Sequence, residues 1–529
     1  MQFDAPRFDI IEHMKPTLRF AAAPLSAAIL ALPVNVFADA EFKFASVCSD
    51  NMVVQRDVAA PVWGFGEPGA KVAVALNGKK VGETTVDEKG RWTVKLPPQK
   101  ANKKPCKIAA KCGAKTIAVS NVLFGDVWFG CGQSNMAFAF NSFGWKAIGA
   151  REFVAKAKNP SIRTLHMNEG ENRNALVPRE DALGIKWETA SPESVAKFSA
   201  ALYWMGDKLH KELGVPVGLI DASWGATSIQ TWLDGDYSAH HGERHAQLMG
   251  RRGCDIARNP AGAKLNAGTV CSMHNGLVAP LYPMAIKGAV WYQGCSNVGF
   301  DSQWRQCIEA VLGGWRAKFT YKDKLPVILT CIAPHNLGSK PDSRGRIANG
   351  EAANPTWSVE ADMRLAAVEC AAKIPDCSFV SLLDLGEDDI HPVHKEEVGE
   401  RWCKTALQNF YGKPIQGTSP SVASAEYKGG KVILTLRNAK GLKTRDGKAP
   451  AGFEIASAPG ANGKVRIYKA NARIVGETVE LSSPEVNDAF AYRYAWFDLP
   501  LGWNVVNGAG LPLDSARGYK DGKWHDQEK

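Results

Sequence analysis

A serine closes the run Gly125-Asp-Val-Trp-Phe-Gly-Cys-Gly-Gln-Ser134-Asn-Met136. Val127, Trp128 and Phe129 read as a short buried β-strand, and Gly130 and Gly132 break it. Ligands of open α/β sheets bind beyond the carboxyl ends of the strands. Glycines there permit the tight turn that exposes a hydroxyl. The placement suits a nucleophile, but alone it fits an ordinary strand-to-helix turn with a Ser or Asn cap at least as well. A hydrolytic serine also needs a base, a group that orients the base, and donors for the developing oxyanion.

Of 11 histidines, His391 has the most suggestive setting, in Gly386-Glu-Asp-Asp-Ile-His391-Pro392 after the apolar run Phe379-Val-Ser-Leu-Leu383. Asp388 and Asp389 stand three and two residues before it, close enough to reach the imidazole Nδ1 and stabilise the imidazolium. A solvated acidic turn with a capping role explains the same spacing equally well. Donors are offered by two further loops. Ser223-Trp-Gly225-Ala-Thr227 follows a strand ending at Ile220, and Trp291-Tyr-Gln293-Gly-Cys-Ser-Asn297 follows one running through Val290. Gly225 offers a backbone N–H, and Gln293 or Asn297 a side-chain amide, with Gln293 slightly favoured. Gln133 and Asn135 flank the serine and join the candidate substrate-binding set.

These loops need a sheet. The 529 residues suggest about three or four domains. Residues 41–118 read as a small β domain, with Asn77-Gly78 and Glu88-Lys-Gly90 as hairpin turns. From 119 to 416, strands at 215–220, 286–292 and 326–332 alternate with helices at 198–213, 304–319 and 363–372. That alternation predicts an α/β domain: a parallel sheet with helices on both faces. Two loop-like insertions, 234–268 and 335–355, have the composition of substrate-binding loops. Residues 417–529 return to β patterning.

Composition narrows the classes. Apolar (45%) and charged (22%) content are ordinary for a globular protein, and the net charge of +10 is spread along the chain. Without a long basic run interleaved with aromatics, nucleic acid is not an expected partner. Met14-Lys-Pro-Thr-Leu-Arg19 followed by an apolar stretch to Val36 reads as a secretory signal peptide starting at Met14, cleaved after Ala38 or Ala40. That predicts a periplasmic or secreted protein without a membrane span. Among 12 cysteines there is no Cys-x-x-Cys pair, and no His, Cys and carboxylate cluster has zinc spacing, so no metal or other cofactor is expected. Cys106/Cys112, Cys254/Cys271 and Cys370/Cys377 are candidates for local disulfides.

The chain resembles the sialate O-acetylesterase (9-O-acetylesterase) family, a carbohydrate-esterase branch of the SGNH hydrolases. The resemblance runs from about Cys48 to about Arg517. It rests on Ser49 to Asp57 with Pro61-Val-Trp-Gly64, on Gly125 to Met136, on Gly214 to Ile220 with Trp224-Gly225, on Asn275 to Pro280, on Trp291 to Asn297, and on Asp389-Ile-His-Pro392 with Val398-Gly399 and Arg493 to Trp496. It implies a central SGNH or flavodoxin-like parallel sheet flanked by small β-sandwich-like domains. It also implies Ser134 as nucleophile, His391 as base and acid, and Gly225 as oxyanion glycine. Asp388, Asp389 or neither (a Ser-His dyad) would orient His391. The expected partner is an acetylated sialoglycan or another acetylated carbohydrate such as xylan. A non-catalytic glycan-binding protein, supported by 16 tryptophans, and a lipase-like enzyme are the rival classes.

Four positions depart from the family. Cys295 stands where a glutamate is usual, Gly130-Cys131 replaces Cys-Ser, and Ala226 replaces a second glycine. With a cysteine in each of two loops expected to face each other, a Cys131–Cys295 disulfide and two unrelated buried thiols are equally good expectations.

Overall fold

The computed structural model describes residues 41–167, 172–241, 268–335 and 358–523. The predicted signal segment, Cys254 and most of both insertions lie outside them.

The N-terminal strands are β1 (Lys43–Phe44), β2 (Val53–Gln55), β3 (Pro61–Phe65), β4 (Lys71–Leu76), β5 (Lys79–Thr85), β6 (Arg91–Lys95) and β7 (Asn102–Cys112). Strands β1, β3 and β6 form one antiparallel sheet, and β4, β5 and β7 a second. Asn77 and Gly78 have φ of +49° and +84° and turn β4 into β5, the left-handed pair that a tight hairpin needs.

The short strand expected at Val127 is the end of something larger. Strand β8 (Lys115–Gly132) runs for 18 residues. Its first half pairs antiparallel with β7, and Leu123 to Gly125 pair with β2. Its second half lies at the centre of the main sheet, between β11 (Val217–Ser223) and β12 (Gly288–Tyr292), both parallel to it. Beyond β11 come β9 (Asn159–His166) and the antiparallel edge strand β10 (Trp187–Ala190). Beyond β12 come β13 (Val327–Thr330) and β14 (Cys377–Phe379), parallel again. The order is β10-β9-β11-β8-β12-β13-β14. The chain crosses β8 between β11 and β12, so the sheet's switch point lies at the carboxyl end of β8, next to Ser134.

Alternate residues of these strands enter different cores. Val127, Phe129, Ala222, Trp291 and Leu329 pack with the helices Asp301–Lys318 and Val359–Lys373. Trp128, Leu219, Val290, Tyr292 and Ile328 pack with Ala200–Leu213 and Lys395–Tyr411. Both faces are buried, as near-continuous apolar strands require. The run at 379–383 is strand only to Phe379; Leu383–Leu385 is a 3-10 turn that begins the descent into the histidine loop. Beyond residue 417 the chain forms two four-stranded antiparallel sheets. One is built from Ser421–Lys428, Lys431–Arg437, Thr478–Ser482 and Asn471–Val475, the other around Phe453–Ser457 and Ala489–Tyr494.

Ten described cysteines are free thiols, which removes the predicted Cys106–Cys112, Cys370–Cys377 and Cys131–Cys295 disulfides; the Cys254–Cys271 pairing involves Cys254, which lies outside the described residues. Cys106 and Cys112 sit six residues apart on one extended strand, about 20 Å apart, far beyond disulfide reach. Cys131 lies on β8 opposite Trp291 and Cys295 in the turn Cys295–Asn297; both pack against one core and are not bonded to each other. Burial pushes both thiols up, Cys295 to about 12.

Candidate active site

Ser134 begins the short helix Ser134–Ala137 at the end of β8. Gly132 makes that turn possible. Its φ is +146°, and a Cβ there would lie 2.1 Å from the Tyr292 carbonyl oxygen on β12. Any side chain would push the two strands apart. Gln133 then locks the turn to the next loop: its N–H donates to Tyr292 O at 3.1 Å. Its Oε1 accepts from the Gly294 and Ser296 N–H groups at 3.1 and 3.4 Å.

The Trp224 N–H donates to Gly132 O at 3.0 Å, which seats the Gly225 loop against the serine turn. The open side of Gly225 faces the nucleophile candidate directly: a Cβ there would be 3.5 Å from Ser134 Cβ. Ala226, the residue that departs from the family's glycine, has φ of +60°, the left-handed conformation that glycine adopts at no steric cost.

Asn135 reaches the other way. Its Nδ2 donates to Ile390 O at 2.9 Å, binding the serine helix to the loop that carries His391. The His391 Nε2 is buried without a hydrogen-bond partner. Its Nδ1 is 3.5 Å from Asp389 Oδ1, long for a hydrogen bond and within ion-pair range. The same Asp389 oxygen accepts the His391 backbone N–H at 2.7 Å, and the other carboxylate oxygen takes Lys146 Nζ at 2.6 Å. Phe138 and Phe143 rings flank the imidazole, with centroids at 6.3 and 5.2 Å. Burial, then the charge on Lys395, holds His391 below the ordinary histidine range. The Lys146 contact holds Asp389 below the usual carboxylate range. Of the two aspartates predicted to serve His391, Asp389 is the one in ion-pair range of its ring.

Gln293 does not fill the role favoured for it. Its Nε2 donates to Asn297 Oδ1 at 2.7 Å and to Thr227 O at 3.1 Å, while Oε1 accepts from Trp304 Nε1 at 2.8 Å. Both N–H groups are committed inside the protein, so the side chain braces three loops. Asn297 accepts the Ile229 N–H at 2.9 Å and gives one N–H to Gln230 Oε1 at 3.1 Å. It retains the greater donor capacity of the two amides. Two groups escaped the sequence reading. Asp221, fully buried, has its carboxyl pushed up by burial, accepts from Ser223 Oγ and lies 3.9 Å from His166 Nε2. Lys395 is also fully buried, with Nζ 2.5 Å from Asn135 Oδ1. The one signal for Lys395 in the sequence is a cation at the start of a helix, against the helix dipole.

A parallel sheet with a serine at its switch point, a glycine loop against that serine and a histidine loop tied to the serine's helix is the arrangement of an SGNH-type α/β hydrolase. More narrowly, the chain belongs to the family described as carbohydrate esterase, sialic acid-specific acetylesterase, whose model matches residues 124–408. A bacterial Ig domain model matches residues 49–116. The human sialate O-acetylesterase is 31% identical over 322 residues, 55% of this chain and 56% of that protein, so the chain spans about half the length of that relative. The mouse sialate O-acetylesterase is 26% identical over 508 residues, 87% of this chain and 90% of its own. The crystal structure of a carbohydrate acetylesterase from Xanthomonas citri superposes with a TM-score of 0.76 at 27% identity, covering 90% of this chain and 99% of that one.

Proposed function

We propose that the protein is a serine esterase that hydrolyses O-acetyl esters of carbohydrates, with 9-O-acetylated sialic acids as first substrate and acetylated xylan or another glycan as alternative. The observation that carries the reading is the meeting of Gly225 and the His391 loop on the Ser134 turn. In this reading His391 Nε2 takes the proton of Ser134 Oγ as the oxygen attacks the acetyl carbonyl. The oxyanion is held by the backbone N–H groups of Ser134 and Gly225, with Asn297 as the side-chain candidate. As the tetrahedral adduct collapses, the imidazolium returns the proton to the departing sugar oxygen, leaving an acetyl-enzyme. Water, deprotonated by the same nitrogen, then releases acetate. Asp389 favours the imidazolium that forms in both steps. No step in this scheme requires a metal or other cofactor.

The glycan-binding rival rested on tryptophan content. Trp63, Trp92, Trp128, Trp187, Trp204, Trp232, Trp291, Trp304, Trp315, Trp402 and Trp496 are all fully buried, which makes them core rather than sugar platforms. The leader-like segment favours a periplasmic or secreted setting, and no helix among the described residues is long and apolar enough to cross a membrane. The test is acetate release from p-nitrophenyl acetate, an acetylated sialoside and acetylated xylan by the wild type and by Ser134→Ala. Loss of all three activities in the variant supports the serine mechanism, and the ratio of the two glycan rates in the wild type identifies the substrate. Equal rates from both proteins would sink the assignment.

A further inference from the structure

Lys395 opens the helix Lys395–Tyr411 and is fully buried. Both facts are unfavourable in isolation. A buried ammonium loses its hydration, and a cation at a helix N-terminus faces the positive end of the dipole. Its Nζ lies 2.5 Å from Asn135 Oδ1, 4.7 Å from the centre of the Phe138 ring and 5.6 Å from that of Tyr292. One amide oxygen and two ring faces thus surround an ammonium with three N–H donors. The carboxylates in its field, Glu387 and Asp389, act through space rather than by hydrogen bond. At position 295, where the family's glutamate would bring a carboxylate, this chain has a thiol that burial keeps protonated.

Asn135 makes this contact mechanical. It follows Ser134 in the chain, accepts from Lys395 and donates to Ile390 O, one residue before His391. We propose that Lys395 is a positioning residue for the reaction, holding the Asn135 amide so that the serine turn and the histidine loop keep one fixed spacing. The inference rests on the roles given above to Ser134 and His391. It adds an electrostatic consequence. His391 is faced by Asp389 from its own loop, by Lys146 and by Lys395. Lys395 is faced in turn by Cys295, Glu387, Lys146 and Asp389. Burial pulls Lys395 down to about 7, and the charge it carries when protonated holds His391 lower. A cation at 395 disfavours the imidazolium; removing it raises the pKa of His391, and the acid limb of kcat/KM moves to higher pH.

Two variants separate the clamp from the charge. Lys395→Met removes both, whereas Lys395→Gln keeps an N–H donor for Asn135 and removes only the charge. With p-nitrophenyl acetate, Lys395→Met should lower kcat about 10–100-fold, with KM held within about 2-fold. Its acid limb should move to higher pH. Its thermal midpoint should be no lower than the wild type's, because an unpaired buried charge is removed. Lys395→Gln should recover kcat to within about 5-fold of wild type while its acid limb moves as far as that of Lys395→Met. A lowered midpoint with wild-type kcat and an unmoved limb overturns the proposal, as does a Lys395→Gln kcat no better than that of Lys395→Met. If Lys395→Met does not fold, the limb of Lys395→Gln decides: movement to higher pH supports the proposal, and no movement overturns it. Ser134→Ala, measured alongside, separates the two levels. Full activity there removes the serine reading itself, whereas an inactive Ser134→Ala beside wild-type-like Lys395 variants removes only this inference.

Discussion

The serine turn and the histidine loop, joined by the Asn135–Ile390 hydrogen bond, are held in place by opposite means. The serine turn is fixed by the backbone: Gly132 has no room for a side chain, and Gln133 is bonded to β12 and to the loop beyond it. The histidine loop is exposed at Asp388, Asp389 and Ile390 and is held from outside by side chains, Asn135 on Ile390 and Lys146 on Asp389. The difference suggests a division of labour. Ser134 sits where steric exclusion leaves one conformation, and His391 sits where charges can set its basicity. Steric devices fail abruptly on substitution; electrostatic ones fail by degrees.

That contrast can be broken in graded ways. His391→Ala removes the base and should lower kcat about 10³–10⁴-fold with the fold intact by circular dichroism; a fall of less than about tenfold would place the base elsewhere. Gly132→Ala attacks the rigid side. A methyl 2.1 Å from Tyr292 O must displace backbone. The expected result is a loss of about 2–3 kcal/mol in denaturant unfolding and about 100-fold in kcat; unchanged stability would show that the turn is softer than its geometry. Asn135→Ala cuts the tether between the two sides, and kcat should fall about tenfold, with KM nearly unchanged.

Asp389→Asn addresses only the adjustable side. Loss of the carboxylate removes an influence that raises the pKa of His391. The acid limb of kcat/KM, expected below the ordinary histidine range, should move to still lower pH, with kcat reduced about 3-fold. A limb that moves upward would contradict the charge assignment. The smallest effect is expected at Ala226→Gly, where relief of the left-handed strain should raise stability by about 0.5–1 kcal/mol without changing kcat, as read by thermal unfolding and steady-state rates.

The legible parts of this molecule are those encoded locally. Asn77-Gly78 announces its hairpin, and the strand-to-glycine transition before Ser134 and the loop after Ile220 mark the carboxyl end of a sheet. The surroundings of His391 are legible in the same way, because Asp389, its neighbour in sequence, is also its neighbour in space. Gln293 misled because its neighbours in space are not: Trp304, Thr227 and Asn297 occupy its whole amide. Lys395 was invisible for the same reason, since burial of a lysine depends on Phe138, Tyr292 and Asn135 closing over it. Adjacent loops do not by themselves make a disulfide: Cys131 on its strand and Cys295 in its turn border the same core and remain unbonded to each other. The first half of β8 was missed because its burial alternates, whereas the later half is continuously apolar.

Strand β8 also determines how the Ig-like region can behave. An 18-residue strand, bulged at Asn121 (φ +56°), passes from that region into the centre of the hydrolase sheet, carrying β7 along one stretch and β11 and β12 along another. A joint of this kind has no linker to flex. The N-terminal module therefore behaves as a rigid outrigger rather than a tethered binding head, and thermal melting of residues 41–132 should carry the serine turn with it in a single cooperative transition.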